Sequence, residues 1–246
     1  MLGTMEAWLY KIKKSYTKIN RFICPSGFLE QKLLTDHRFY GKTVVKHNFI
    51  AADPLEESHC KPQALTPGGE PYVLYFGRLA EEKGIQVLLK ACRLLPQIPV
   101  VVAGDGPLLP QVRTATSNVR YVGFQTGKKL QQLIQQACFT VCPSVCYENC
   151  PLSVLESEAM GTPVLCSDRG GFPELVEDGV NGCILPGELT AQRLAEKIQW
   201  LYNQPDLLAD MSTYCLQKKQ DRLTAAQYCD WLLDLYQETI AAHQSS

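Results

Sequence analysis

Two glutamates, Glu148 and Glu156, stand eight residues apart around the start of a helix-like segment. Carboxylates repel phosphate, but they are strong hydrogen-bond acceptors that suit hydroxyl groups. Upstream, Arg78 and Lys83 lie in one short segment, FGRLAEEKG, where two cations could meet phosphate oxygens. A ligand that carries both phosphates and sugar hydroxyls would use both pairs of residues.

A simpler explanation of each pair stays open at this point. The two glutamates could be ordinary first-turn acids that the helix dipole favours. The arginine and the lysine could be surface charges, because the surface is where most such side chains lie.

The segment that contains both glutamates, residues 138–175, predicts a βαβα unit: strand CFTVC, helix PLSVLESEAM, strand TPVLCS and helix FPELV. Pro151 and Pro173 suit first helical positions. In a parallel sheet the carboxyl ends of the strands face the helix amino ends, whose free N–H groups and positive dipole suit an anion. The apolar spacing puts Leu152, Leu155 and Ala159 on the buried face of the first helix.

The rest of the chain predicts where this unit belongs. Strands and helices alternate over residues 71–220, which indicates a doubly wound, Rossmann-like parallel sheet of the α/β class. Residues 51–70 are rich in Pro, Gly and charge, as a linker is. Residues 1–50 hold two strands and one helix, too few to close a core, so we interpret them as the remnant of a larger α/β domain. Residues 221–246 predict a C-terminal helix.

Composition excludes several classes of protein. With 46% hydrophobic and 20% charged residues the chain is globular, and its net charge of -1 gives no reason to expect nucleic acid as the main partner. No apolar run is long enough to span a bilayer, and the N-terminus lacks a signal-peptide core, so we predict a cytoplasmic protein. The amphipathic residues 2–19 favour a packed helix with solvated lysines over a peripheral membrane contact.

Eleven cysteines without a secretory signal predict reduced thiols that are mostly buried. Four of them recur at every fourth position from Cys138 to Cys150, but they lack the paired spacing of common zinc sites. We therefore predict no metal site.

The segments FGRLAEEKG, VAGDGP, VGF, VCPS and the Glu-x7-Glu stretch, in this order, resemble the C-terminal half of a retaining glycosyltransferase of family four, also called group 1, with the GT-B fold. Upstream, RFICPSGFLEQKL and VVKHNFI resemble the end of that family's first domain. The resemblance therefore covers nearly the whole chain. It implies a nucleoside-diphosphate sugar as donor and transfer with retained anomeric configuration.

On the family's pattern, Arg78 and Lys83 meet the diphosphate, Glu156 accepts from the ribose hydroxyls, and Glu148 contacts the donor sugar. The resemblance assigns catalysis to Glu148, Arg78 and Lys83, and donor binding to Gly77, Arg78, Lys83, Glu148, Asn149, Cys150, Leu152, Ser153 and Glu156. No Asp-x-Asp pair is present to hold a metal beside the phosphates, so we expect no metal and no other cofactor.

The acceptor side is not accounted for, because none of the four histidines matches the family's catalytic histidine. The leading hypothesis is a glycosyltransferase for which this chain supplies the donor-binding half. The alternative is a non-catalytic nucleotide-sugar-binding or regulatory module. In the resembled fold the last helix crosses back to the first domain. We therefore expect its apolar stripe to meet a separate N-terminal-domain chain or a second copy; the stripe comprises Tyr228, Trp231, Leu232, Leu235 and Tyr236.

Overall fold

The structure, a computed structural model, describes residues 15–50, 69–218 and 223–244. Most of the predicted N-terminal helix and most of the predicted linker lie outside these residues; Ser15–Lys18 forms a short 3₁₀ helix. The chain divides into two compact units, of which the smaller combines the residues up to Phe49 with those from Leu223 onward. The larger unit spans Ile50–Arg222.

The described strands are β1 Phe22–Cys24, β2 Thr43–Val45, β3 Val73–Phe76, β4 Val100–Ala103, β5 Val119–Tyr121, β6 Phe139–Cys142, β7 Val164–Ser167 and β8 Gly182–Leu185. The described α-helices are α1 Gly27–Leu33, α2 Ile85–Arg93, α3 Leu109–Arg113, α4 Gly127–Gln136, α5 Leu152–Ala159, α6 Phe172–Leu175, α7 Ala191–Tyr202, α8 Pro205–Gln217 and α9 Ala225–Gln244.

The smaller unit contains a two-stranded parallel sheet, β1 with β2, and the helix α1 between them. Ser26 caps α1, since its Oγ accepts from the backbone N–H of Leu29 at 3.2 Å. On α9, the ring of Tyr228 lies 5.0 Å from that of Phe49, and the Lys46 ammonium lies 5.0 Å from the ring centre of Trp231. These contacts involve two of the five residues of the predicted apolar stripe. A third, Leu235, is buried, whereas Tyr236 of the stripe is more than half exposed, as are Leu233 and Ile240.

The larger unit is built on a six-stranded parallel sheet in the order β5-β4-β3-β6-β7-β8. The four central strands, β3, β4, β6 and β7, are buried along their whole length. Their sequences are mostly apolar, as is typical of strands that are covered on both faces. Alternate residues of β3 enter different clusters: Val73 and Tyr75 pack with α2 and α7, whereas Leu74 and Phe76 pack with α4. Helices therefore cover both faces, which confirms the predicted doubly wound fold.

The order of the strands creates one crevice. The first strand of this unit, β3, lies between β4 and β6, so the chain winds outward in one direction from β3 and in the other from β6. In an open α/β sheet, ligands bind at such a switch point, outside the carboxyl ends of the two strands. The loops after β3 and β6 carry Lys83 and Glu148.

One detail of α5 was predicted wrongly. Leu152, which the apolar spacing placed on the buried face, is 50% exposed. The buried side chains of α5 are Val154, Ser157, Glu158 and Ala159, of which only Ala159 was predicted. Glu158 is buried because the side-chain amide of Asn181, itself buried, donates a hydrogen bond to its carboxylate. The spacing of apolar residues cannot reveal such a buried, paired carboxylate, because a glutamate in the sequence indicates a surface position.

The ten cysteines among the described residues form no disulfide bonds, and seven of them are buried. Within the same residues, no group of three His, Cys, Asp or Glu side chains is arranged to hold a metal ion. None of the described helices combines the length and the apolar character that a bilayer crossing requires.

Candidate functional site

A cavity of about 380 Å³ lies at the carboxyl ends of β3 and β6. It contains charged, polar and apolar side chains from the loops after both strands and from the start of α5. Eight of the nine residues that the resemblance assigned to donor binding line it: Gly77, Arg78, Lys83, Glu148, Cys150, Leu152, Ser153 and Glu156. The ninth, Asn149, is exposed in the same loop and does not line the cavity.

The shortest polar contact in the cavity joins Lys83 to Glu148. The Lys83 Nζ lies 2.5 Å from the Glu148 Oε1, and the two side chains are 36% and 14% exposed. Ser144, which is buried, donates its hydroxyl to the same Oε1 at 2.7 Å. The contacts that Glu148 receives from Lys83, Ser144 and Cys146 all go to Oε1, and no described residue donates to Oε2, which leaves Oε2 as an acceptor for a ligand.

Backbone contacts between two loops bring these side chains together. The N–H of Val145, in the loop after β6, donates to the carbonyl of Glu82, in the loop after β3, at 3.0 Å. Next to it, Gly84 has φ +71°, and a Cβ at this position would lie 1.7 Å from the Pro143 carbonyl oxygen. Only glycine permits this approach, because any side chain would push the two loops apart.

The loop after β7 fixes the backbone of Glu148 from the other side. The N–H of Gly171 donates to the Glu148 carbonyl at 2.7 Å. Its neighbour Gly170 has φ +67°, and a Cβ there would lie 2.1 Å from the same carbonyl oxygen. Three loops from one edge of the sheet therefore converge on one glutamate.

Arg78 is held more loosely than Lys83. Its side chain is 67% exposed, and its Nη1 lies 3.6 Å from the Glu82 Oε1. Its backbone is better fixed, because the buried hydroxyl of Tyr75 donates to the Arg78 carbonyl at 2.8 Å. Burial raises the pKa of Tyr75, so the hydroxyl stays neutral and remains a donor.

Glu156 lies in the second turn of α5 and is partly buried, and this burial raises the pKa of its carboxyl. The first turn of α5 contains no acid, and Glu148 precedes the helix. The simpler explanation, that both glutamates are first-turn acids favoured by the helix dipole, is therefore wrong. The backbone N–H groups of Leu152 and Ser153, by contrast, belong to the first turn, which lacks intrahelical acceptors.

Ser144 and Tyr75 support the predicted residues, although neither was predicted from the sequence to have a role in the site. Ser144 belongs to the VCPS segment that contributed to the resemblance, and a serine two residues after the end of an apolar strand was a usable signal. Tyr75 gave no signal, because within the apolar strand VLYF it is indistinguishable from a core aromatic residue.

The lining of the cavity can thus serve two chemical groups. Arg78, Lys83 and the amino end of α5 suit phosphate oxygens, and the free oxygen of Glu148 together with Glu156 suits hydroxyl groups.

Comparison with known proteins gives a family. Residues 58–218 match the sequence model of the family described as Glycosyl transferases group 1. The chain is 29% identical over 178 residues to the alpha-D-kanosaminyltransferase of Streptomyces kanamyceticus, covering 68% of this chain and 46% of that protein. It is 33% identical over 138 residues to the amylovoran biosynthesis glycosyltransferase AmsK of Erwinia amylovora, covering 50% and 34%. The chain thus matches between a third and a half of the length of these relatives.

Solved structures share the fold. Anabaena HepE, crystallised in complex with UDP, superposes with a TM-score of 0.77 at 21% identity, covering 89% of this chain and 64% of HepE. The sucrose-phosphate synthase of Thermosynechococcus elongatus superposes with a TM-score of 0.76 at 26% identity, covering 89% and 58%.

Proposed function

Because this chain belongs to the group 1 glycosyl transferases, we propose that it forms the donor-binding part of a retaining enzyme that transfers a sugar from a nucleoside-diphosphate sugar. The observation that carries this proposal is the cavity at the switch point of the sheet. There two cations, two carboxylates and a helix amino end line a space of about 380 Å³. Phosphates and sugar hydroxyls are the groups that such a lining would bind together.

Within this proposal each residue has a role that its position supports. Lys83 and Arg78 bind the diphosphate, together with the first-turn N–H groups of α5. Glu156 accepts hydrogen bonds from the ribose. Glu148 accepts from the donor sugar through its Oε2, because Oε1 already receives Lys83 and Ser144.

Such a site would promote transfer chiefly by electrostatics. When the glycosidic bond to the diphosphate breaks, negative charge develops on the departing phosphate oxygens. Cations and backbone N–H groups that are already in place stabilise that charge without first having to rearrange. The close backbone contacts among the three loops support this interpretation, since they fix Lys83 and Glu148 before a ligand arrives.

We further propose that donor binding needs no divalent metal. Once a donor sugar satisfies Glu148, Lys83, Arg78 and the helix amino end provide the positive charge that a metal ion would otherwise supply beside the phosphates.

Among the structural neighbours, HepE indicates which nucleotide to test first. HepE was crystallised with UDP and with UDP-glucose. We therefore propose uridine nucleotides as the first probes, with guanosine and adenosine nucleotides beside them.

The test is isothermal titration calorimetry of the protein with UDP, GDP and ADP and with UDP-glucose, GDP-mannose and ADP-glucose. We expect one nucleotide and its sugar conjugate to bind with micromolar to millimolar Kd, about 4–8 kcal/mol. The same titration in excess EDTA should give the same Kd. If no nucleotide binds to the folded protein, the proposed function is wrong. If magnesium restores an affinity that EDTA abolishes, only the metal-independent part is wrong.

A further inference from the structure

We propose that Glu148 makes the site prefer a nucleotide sugar over the free nucleoside diphosphate, by neutralising Lys83 until a sugar hydroxyl satisfies the carboxylate. The inference rests on the proposed function and extends it to the release of the spent nucleotide. It starts from the ion pair at 2.5 Å between Lys83 Nζ and Glu148 Oε1, inside the cavity that would hold the diphosphate.

The charges around the cavity do not make a simple anion site. Each of the two cations that line it already has a carboxylate partner, since Lys83 pairs with Glu148 and Arg78 pairs with Glu82. Glu156 adds a further carboxyl to the lining. A free nucleoside diphosphate would bring two or three negative charges into a site with no excess of positive charge, so its affinity should be low.

The two carboxylate partners differ in strength. Lys83 and Glu148 are largely shielded, and Ser144 holds the carboxylate at 2.7 Å. Arg78 and Glu82 lie 3.6 Å apart and are 67% and 44% exposed, so solvent screens their attraction. Glu148 is therefore the carboxylate that would oppose a diphosphate most strongly.

A donor sugar changes this balance. Its hydroxyls can donate to the open Oε2 of Glu148, which gives the carboxylate a partner while Lys83 turns toward the phosphates. A free nucleoside diphosphate has no donor sugar, and its ribose hydroxyls are assigned to Glu156, so it leaves the Glu148 carboxylate facing phosphate charge. Glu148 would then act as a specificity-determining residue that holds the donor and expels the product.

The test compares wild-type protein with Glu148→Gln and Glu82→Gln by calorimetry. The probes are inorganic pyrophosphate, which needs no base contact, the nucleoside diphosphate that wild-type protein binds, and its sugar conjugate. Glutamine keeps the shape of glutamate and can still accept the Ser144 hydrogen bond, so the variant should fold. We expect Glu148→Gln to bind pyrophosphate and the nucleoside diphosphate about three- to tenfold more tightly, whereas the nucleotide sugar binds no more tightly than before.

Glu82→Gln is the matched control, because it removes one negative charge from the same loops without releasing Lys83. Its affinity for pyrophosphate should change by less than about twofold. Equal tightening in both variants would mean a general charge effect and would overturn the inference. Unchanged or weaker diphosphate binding by Glu148→Gln would overturn it too. So would the absence of pyrophosphate binding in both the wild-type protein and Glu148→Gln.

The pairing of Lys83 with Glu148 can also be tested without a ligand. Acylation of Lys83 by an amine-reactive reagent, followed by mass spectrometry, should be faster in Glu148→Gln than in the wild-type protein, with exposed Lys90 as internal reference. An unchanged rate would contradict the proposed pairing. Failure of the proposed function would look different: the wild-type protein would bind none of the nucleotide sugars, whatever the behaviour of Lys83.

Discussion

Arg78 and Lys83 bring the same charge to one cavity, but the fold holds them differently. Lys83 is fixed at 2.5 Å from a largely buried carboxylate, while Arg78 is mostly exposed. A side chain that is already ordered loses less entropy when it binds a ligand. The lysine should therefore contribute more than the arginine to binding of the nucleotide sugar, whose hydroxyls can satisfy Glu148 while Lys83 turns to the phosphates.

We predict that Arg78→Ala and Lys83→Ala each weaken nucleotide-sugar binding by about 1.5–3 kcal/mol, with Lys83→Ala at the upper end. The lysine variant also leaves the Glu148 carboxylate without its cation, which adds repulsion toward phosphate. Calorimetry measures both variants, and Lys90→Ala on the exposed face of α2 is the control that should change nothing. If both variants bind the ligand with wild-type affinity, neither Arg78 nor Lys83 contributes to the binding site.

Glu156 shows how a binding residue can oppose stability. Burial raises the pKa of its carboxyl, so the folded protein holds this proton more tightly than the unfolded chain does. As pH rises above the unfolded pKa, the unfolded chain releases the proton first and gains in relative stability. The free energy of unfolding therefore falls until pH passes the folded pKa, and at neutral pH the full penalty is present.

We predict that Glu156→Gln has a higher melting temperature than wild-type protein at pH 7, and that the difference disappears near pH 4. The same variant should bind the nucleoside diphosphate more weakly, because an amide is a poorer acceptor for the ribose hydroxyls than a carboxylate. Thermal unfolding at both pH values and calorimetry at pH 7 measure the two effects. The exposed Glu188→Gln is the control. A lower melting temperature for Glu156→Gln at pH 7 would contradict the argument.

At the scale of elements, the site depends on glycines that let loops touch. Gly170 and Gly179 both have positive φ, +67° and +84°, but their surroundings differ. A Cβ on Gly170 would lie 2.1 Å from the Glu148 carbonyl oxygen, whereas a Cβ on Gly179 would meet nothing within 4 Å. Alanine at either position carries the strain of a left-handed backbone, and at Gly170 it also displaces a loop.

We predict that Gly179→Ala lowers the free energy of unfolding by about 1–2 kcal/mol and leaves nucleotide-sugar affinity unchanged. Gly170→Ala should lower it by about 1–3 kcal/mol more, since the clash is with backbone, and should weaken nucleotide-sugar binding at least threefold. Urea denaturation and calorimetry measure the two quantities. If Gly170→Ala and Gly179→Ala show the same nucleotide-sugar affinity and the same free energy of unfolding, the loop after β7 does not position Glu148.

The elements of the larger unit could be predicted from the sequence because local patterns determine them. Each apolar run between turn residues became a strand, and the alternation with helices was sufficient to predict a parallel sheet. The error at Leu152 arose because periodicity cannot recognise a buried glutamate such as Glu158, whose partner Asn181 lies far along the chain.

The individual contacts of the site could not be predicted in the same way. Lys83 and Glu148 are 65 residues apart, and their ion pair depends on β3 and β6 lying side by side, which no local pattern encodes. The resemblance placed both residues near a donor but did not predict that they bind each other. The roles of Ser144 and Gly170 likewise depend on loop-to-loop distances of a few ångströms.

At the scale of the whole molecule, every residue proposed for donor binding lies in the larger unit. The relatives are two to three times as long as the stretch they share with this chain, which covers 34% of AmsK and 46% of the kanosaminyltransferase. Binding of a nucleotide requires only the cavity in that unit. Transfer also requires an acceptor hydroxyl held beside the anomeric carbon.

We predict that a polypeptide of these 246 residues binds the nucleotide sugar but does not transfer the sugar. Positioning of two reactants can account for roughly 7–11 kcal/mol of barrier lowering, and none of the described residues has been assigned to an acceptor. Water would also reach the open cavity, so slow hydrolysis of the donor is the most that should appear. The purified chain is incubated with radiolabelled nucleotide sugars and candidate acceptors, with and without an N-terminal glycosyltransferase domain supplied in trans. Robust glycosylation of an acceptor by the chain alone would contradict the prediction, and would mean that its own residues build an acceptor site.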